Sequence, residues 1–215
     1  MNRIVVLLPP SEAKASGGNA PPWAPGTGVL PALDDSRRRV LRAARRGIAD
    51  APTLPAMQRY TGVLYRELDW ASLPAPARRR GDSGVLIVSG LWGVVAPRDP
   101  IPDYKLKMSA SLPRLGKLST WWRPRLTAAL ADHLRDCVVW DLLPNEHAAA
   151  WDPVAVAAKR RLAVRVVDDA GRTVGHWNKL VKGALARRIL VEGLDDPAPL
   201  DGWVHGSGHH VEVEG

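Results

Sequence analysis

Apolar runs and helical stripes follow one another along the chain in an order that predicts a mixed α/β fold. Ile4 to Leu8 is an unbroken apolar run of strand length, the mark of a buried strand, and Pro9-Pro10 end it. A polar stretch rich in Gly and Pro continues to about Pro31 and predicts irregular, mobile chain. Asp34 or Ser36 is placed to cap a helix running to Ile48, with Val40, Leu41, Ala44 and Ile48 as its apolar stripe. Shorter helices are predicted around Leu54 to Tyr60 and Val63 to Leu68, and Pro74 and Pro76 suggest a linker.

The chain is organised around Val85 to Met108. Val85 to Val88 reads as a second buried strand, stopped by the turn-forming Ser89-Gly90 and Gly93. Pro97, Pro100 and Pro102 keep the next segment out of helix and sheet interiors. Tyr104 to Met108 alternates like a strand with one wet face. A rigid loop carrying Arg98, Asp99 and Asp103 is therefore expected between two strands. Beyond it, Leu118, Trp122, Leu126, Leu130 and Leu134 recur every four residues, predicting a helix from Ser119 or Thr120 with Pro124 in its first turn. Cys137 to Trp140 forms a third strand that empties into the loop Asp141 to His147. Leu162 to Val167 and Arg172 to Trp177 read as a hairpin joined at Asp168 to Gly171. Lys179 to Val191 is a helix ended by Gly193, and Val211 to Val213 a last strand. Sheets of this kind carry their sites beyond the strand ends.

At 215 residues, with 46% hydrophobic and 24% charged residues, the chain is expected to form one domain over residues 1–215. No apolar run approaches the ~20 residues that cross a bilayer, and the N-terminal run is too short for a signal peptide. One cysteine, Cys137, excludes an internal disulfide and reads as a core thiol, so a cytoplasmic chain with no membrane partner is expected. Thirty basic against 22 acidic residues leave +8, which favours an anionic partner, either nucleic acid or a phosphorylated nucleoside-type small molecule. The runs Arg37 to Arg39, Arg45-Arg46 and Arg78 to Arg80 serve solubility equally well. Nine tryptophans and no phenylalanine put indoles into core positions, where each N–H wants a partner. Trp92 and Tyr104 are the aromatic candidates, for packing or for base stacking. There is no GxGxxG, Walker-type loop, zinc-ligand spacing or HExxH, and His205, His209 and His210 read as surface residues; no cofactor or metal is expected.

The stretch Ser89-Gly90-Leu91-Trp92-Gly93-Val94-Val95, followed by Pro97, Asp99-Pro100-Ile101, Tyr104, Leu106 and Met108, resembles the signature of the YaaA family of bacterial peroxide-stress proteins. Pro10-Ser11-Glu12-Ala13-Lys14, Tyr60 to Tyr65, Trp121-Trp122 and Lys179-x-x-Lys182-Gly183-x-x-x-Arg187 fall in that family's order. The resemblance implies a compact mixed α/β domain with flanking helices and a basic cleft lined by the motif residues. It also implies a cytosolic nucleic-acid-binding protein of the peroxide-stress response, with a helix-hairpin-helix-like element for DNA. The chain is short for such a protein, which leaves open whether that element is retained.

Four groups of residues carry candidate chemistry. Lys179 and Lys182 lie on one face of a helix's first turn, where the dipole disfavours each by a few tenths to ~1 kcal/mol until an anion arrives. The resemblance assigns them, with Arg187, to anion binding. Ser11, Glu12 and Lys14 form either a cap beside a surface ion pair or a phosphate site in which Glu12 polarises a hydroxyl; the resemblance favours the site. Arg98 and Lys105 are candidates for phosphate contact. Last, Glu146 beside His147 can do acid–base work if its surroundings tune it. Here the chain departs from the family, which commonly has an aromatic residue at the position of His147. The loop is thus either a structural cap or the base of an enzyme that cleaves an N-glycosidic bond in a nucleotide, nucleoside or DNA base, with Lys14, Lys179 and Lys182 holding phosphate.

Overall fold

Ile4–Leu8 forms β1 near the middle of a six-stranded mixed sheet. In the computed structural model, which describes residues 2–44, 47–173, 175 and 177–215, the chain continues through α1 (Asp34–Ala43), β2 (Leu54–Pro55), α2 (Ala56–Arg59), α3 (Val63–Leu68) and α4 (Ala75–Gly84). Next come β3 (Val85–Ser89), β4 (Gly93–Val95), β5 (Pro100–Ile101), β6 (Ser111–Leu112), β7 (Gly116–Lys117) and α5 (Leu118–His133). β8 (Val138–Asp141), α6 (Asn145–Ala148), β9 (Arg160–Val167), α7 (Asn178–Glu192) and β10 (His210–Glu214) complete it.

The strand order is β10-β9-β8-β1-β3-β4. β9, β8, β1 and β3 run parallel, and β10 and β4 close the two edges antiparallel. β3 and β8 are buried at every position and β1 at all but its first, so both sheet faces are covered. One helix group, α3, α4 and α7, packs together against β1 and β9, while α5 packs against β4. From β1 the chain moves one way to β3; from β8 it moves the other way to β9. β1 and β8 are neighbours, so the order reverses between them, and a crevice opens at their carboxyl ends.

The sequence pattern holds for the core. Leu118, Trp122, Leu126, Leu130 and Leu134 are all fully buried, and so is Cys137. Several boundaries differ, each for a local reason. α1 stops at Ala43, where Ala44 turns extended, and Arg45 and Arg46 lie outside the described residues. Asp34 does not cap it; its carboxylate accepts the Gly26 amide at 2.7 Å and Arg37 Nη1 at 2.8 Å. The Pro74–Pro76 segment opens α4 instead of forming a linker, because proline is tolerated where helix N–H groups have no partner anyway. Pro124 falls in the second turn of α5, on a side where both it and Thr120 are exposed, so the carbonyl it leaves unpaired faces water. Tyr104 to Met108 keeps the alternation of buried and exposed side chains without pairing as a strand. The predicted hairpin partner of β9 is also replaced. The turn at Asp168 to Gly171 forms, Thr173 makes one bridge to Val167, and β10 takes the rest of the edge; Val174 and His176 lie outside the described residues.

Part of the arginine content is internal. Arg37 is fully buried and donates to the carbonyls of Trp92 (3.1 Å), Val29 (2.7 Å) and Val94 (2.8 Å) as well as to Asp34. The Gly/Pro-rich stretch is irregular, as expected, yet tied down at Gly26 and Val29, whose amides donate to Asp34 and Asp99. Replacing Arg37 by Leu strands three carbonyls and a carboxylate, and should cost roughly 3–5 kcal/mol. A thermal melt is expected to show Tm lowered by about 10 °C, with Arg37→Lys recovering part of it.

Candidate functional site

Residues 9–14 leave β1 and residues 142–147 leave β8 at the crevice, and the N-terminus of α7 and the 104–110 segment close it. Together they line a cleft of ≈1140 Å³. Gly90 lets the 104–110 segment lie against the end of β3: a Cβ there would stand 2.9 Å from the carbonyl oxygens of both Leu106 and Lys107. Gly183 does the same between α7 and α3, where a Cβ would run into the Leu64 carbonyl.

The cleft wall carries the cations Lys14, Arg66, Lys105, Lys107, Lys179 and Lys182 and the carboxylates Glu12 and Glu146, with Ser11, Tyr104 and His147 among its other polar residues. Ser11, Glu12, Lys14, Lys105, Tyr104, Glu146, His147, Lys179 and Lys182 are therefore brought together, from segments far apart in sequence. Three other candidates stand elsewhere. Arg98 is exposed and paired with Asp82. Arg187 donates to the carbonyls of Leu68 (3.1 Å) and Asp69 (3.0 Å), tying α7 to the end of α3. Trp92 is buried against Trp23, ring centroids 5.3 Å apart, so packing is its role. Asp99 accepts the amides of Ala96 and Val29, both at 2.9 Å.

Lys14 is held from below. Arg59 of α2 is fully buried and donates to the carbonyls of Ala15, Gly17 (2.7 Å) and Ile101 (3.2 Å), which fixes the chain on either side of the cleft floor. Lys14 Nζ donates to the Ser11 carbonyl at 2.7 Å and sits 4.4 Å from the Tyr104 ring centroid and 5.5 Å from that of Tyr60. Burial lowers its pKa to about 8, against the opposing pull of Asp103 and Glu12. Under it runs a buried hydroxyl chain: Tyr60 to Tyr104 at 2.6 Å and Tyr104 to Ser89 at 2.6 Å. Desolvation pushes Tyr104 up to about 12 and Tyr60 and Tyr65 well above the phenol range, so all three stay protonated.

Lys182 is the second embedded cation. It is 5% exposed, donates to the Leu142 carbonyl at 3.0 Å, and burial lowers it to about 8 despite Asp141 nearby. Asp141 itself is committed to Arg161, at 2.9 and 2.6 Å, and to the Leu143 amide. Glu12 pairs with Lys107 at 3.0 Å on the exposed rim. Lys107 and Arg66 were not singled out from sequence. For Lys107 the signal existed, because it shares the wet face of the 104–108 alternation with Lys105; for Arg66 there was none. His147 is buried, its Nδ1 lies 3.4 Å from Glu146 Oε1 outside hydrogen-bonding geometry, and burial lowers its pKa to about 4. It is a neutral imidazole at neutral pH.

A family model described as "Peroxide stress protein YaaA" matches residues 29–213. UPF0246 protein SCO2297 of Streptomyces coelicolor is 36% identical, with 98% of this chain and 93% of the relative covered. UPF0246 protein Cgl1995/cg2186 of Corynebacterium glutamicum is 32% identical over 87% of this chain and 85% of its own, and UPF0246 protein SPO0106 of Ruegeria pomeroyi 32% identical over 80% and 71%. The Streptomyces alignment spans 241 positions, more than the 215 residues here, so that relative carries inserted segments this chain lacks. No helix among the described residues is long and apolar enough to cross a membrane. With a matched profile over most of its length and relatives at this level of identity, the chain belongs to the YaaA family of peroxide stress proteins.

Proposed function

We propose that the cleft binds a nucleotide unit, presented by nucleic acid and above all by DNA, or free as a phosphorylated nucleoside. One observation carries this reading: six cations against two carboxylates converge at the crevice between β1 and β8, two of those cations being embedded where burial opposes their charge. An embedded ammonium is a standing electrostatic deficit that a phosphate relieves. The volume suits one nucleotide rather than a duplex cross-section, so a strand would track along the exposed Lys105, Lys107 and Lys179 and place one unit inside.

Titration of labelled single-stranded and duplex DNA, and of mononucleotides, tests the reading. Affinity should fall steeply with salt as counterions are released. Lys182→Met removes the charge and keeps the packing, and is expected to weaken binding at least tenfold while thermal stability is unchanged or higher. An anion raises the pKa of Lys182 from about 8, so binding takes up a proton there and affinity drops as pH rises from 7 to 9. Absence of binding to every one of these ligands at low salt would remove the reading.

A second reading, an N-glycosidic hydrolase with Glu146 as general base, is favoured by the placement of Glu146 on the cleft wall beside a neutral imidazole. In it Glu146 takes a proton from water, and the neutral His147 beside it adds no charge of its own. Release of free base from nucleosides, nucleotides or DNA should then fall roughly 10²-fold in Glu146→Gln, with affinity little changed; base release at an undiminished rate would discard this assignment. The same pair predicts an acid effect on folding. His147 has a folded pKa of about 4 against ~6.5 unfolded, so between those values the unfolded chain binds more protons and stability falls as pH drops. Denaturant melts between pH 7 and 4.5 should show a steeper loss in the wild type than in His147→Gln, the difference being on the order of 2 kcal/mol.

A further inference from the structure

We infer that Lys14 is a covalent nucleophile: its amine forms an imine with the C1 aldehyde of a ring-opened pentose phosphate, either a free sugar phosphate or an abasic unit in a strand. The inference rests on the nucleotide-binding reading of the cleft and goes beyond a phosphate-holding role for this residue. Among the cleft lysines only Lys14 combines access with partial burial and the absence of an ion pair among the described residues. Lys107 is paired with Glu12 at 3.0 Å. Lys182 is almost closed off and bonded to the Leu142 carbonyl. Lys105 and Lys179 are exposed, where water hydrates the ammonium. Lys14 is half-buried on the cleft wall, with aromatic rings on one side, the Ser11 carbonyl at 2.7 Å, and no carboxylate within ion-pair distance among the described residues.

The ring faces favour the ammonium and desolvation opposes it. With a pKa of about 8, roughly a quarter of Lys14 is free amine at pH 7.5. That fraction is what nucleophilic attack needs, and desolvation is a recognised way for an enzyme to supply it. The Nζ lone pair adds to the aldehyde carbon and the carbonyl π electrons move to oxygen. Transfer of an amine proton to that oxygen gives a carbinolamine. Loss of water, with the nitrogen lone pair forming the C=N bond, leaves the imine. One amine and one aldehyde give one imine and one water. The phosphate of the same molecule has Lys105, Lys107, Lys179 and Lys182 on the surrounding walls to receive it.

Borohydride reduction tests this directly, since hydride addition turns the imine into a stable secondary amine that peptide mass mapping locates. The full chain is incubated with ribose 5-phosphate, with ribose, and with an oligonucleotide containing one abasic site. Adduct on Lys14, at least tenfold more with ribose 5-phosphate than with ribose, is expected. Lys14→Arg keeps the charge and cannot form the imine, so the mapped adduct should vanish, while Lys159→Arg, outside the cleft wall and bonded to Asn2, keeps full yield. Trapping with the sugar phosphate alone or with the oligonucleotide alone identifies which source the cleft takes. Adduct spread over Lys105, Lys107 and Lys179 in proportion to their exposure overturns the inference, whatever the variant does. Binding of the abasic oligonucleotide by anisotropy with no adduct overturns it as well and leaves the nucleotide-binding reading standing. No binding and no adduct remove both.

Discussion

Strand pairing accounts for the sheet, but several connecting segments, among them the chain that leaves β1 into the cleft, are held by buried guanidinium groups donating to main-chain carbonyls. Arg59 binds Ala15, Gly17 and Ile101; Arg37 binds Val29, Trp92 and Val94. Each ties several loop segments together, and each brings a charge into the interior that main-chain carbonyls and a nearby carboxylate compensate. A guanidinium presents five donors in a rigid fork, which is why arginine and not lysine occupies these points. The chain that carries Ser11, Glu12 and Lys14 is positioned in this way, by a residue that does not itself line the cleft.

Burial is then used twice, to opposite ends. At Arg37 and Arg59 it is compensated by several carbonyls each, and the result is rigidity. At Lys14 and Lys182 a single carbonyl faces each ammonium, compensation is incomplete, and the proton is held loosely. Arg80 and Arg187, meanwhile, fasten α7 to its neighbours, Arg80 by donating to the Leu190 and Val191 carbonyls at the helix's C-terminal end. That leaves the N-terminal turn of α7, with Lys179, as the end that meets the cleft.

The sheet was legible because burial on both faces leaves an unmistakable apolar run, as at Ile4 to Leu8, Val85 to Val88 and Cys137 to Trp140. The leucine spacing of α5 was legible for the same reason. The site was legible in part. Ser11, Lys14, Lys105, Glu146, Lys179 and Lys182 follow strand ends or open a helix, positions where polar residues have a reason to be. What sequence could not separate was a cation that faces solvent from one that faces carbonyls. Arg37 and Arg38 are adjacent and chemically identical, yet Arg37 is buried beneath the β3–β4 turn and Arg38 is on the surface, paired with Asp35. Arg98 and Arg187 were read as anion contacts for the same reason. Only the fold decides which carbonyls come within reach of which side chain.

The hydroxyl chain beneath Lys14 is anchored on the backbone at one end. The amides of Leu91 and Trp92 both donate to Ser89 Oγ, at 3.3 and 3.4 Å, and the same oxygen is hydrogen-bonded to the Tyr104 hydroxyl at 2.6 Å. Tyr104 in turn shares a hydrogen bond with the Tyr60 hydroxyl. Three hydroxyls are thereby linked in series, starting at the turn between β3 and β4 and ending with Tyr60, one of the two rings under the Lys14 amine. A backbone feature at one edge of the sheet is in this way joined to the cleft floor through side-chain hydroxyls alone.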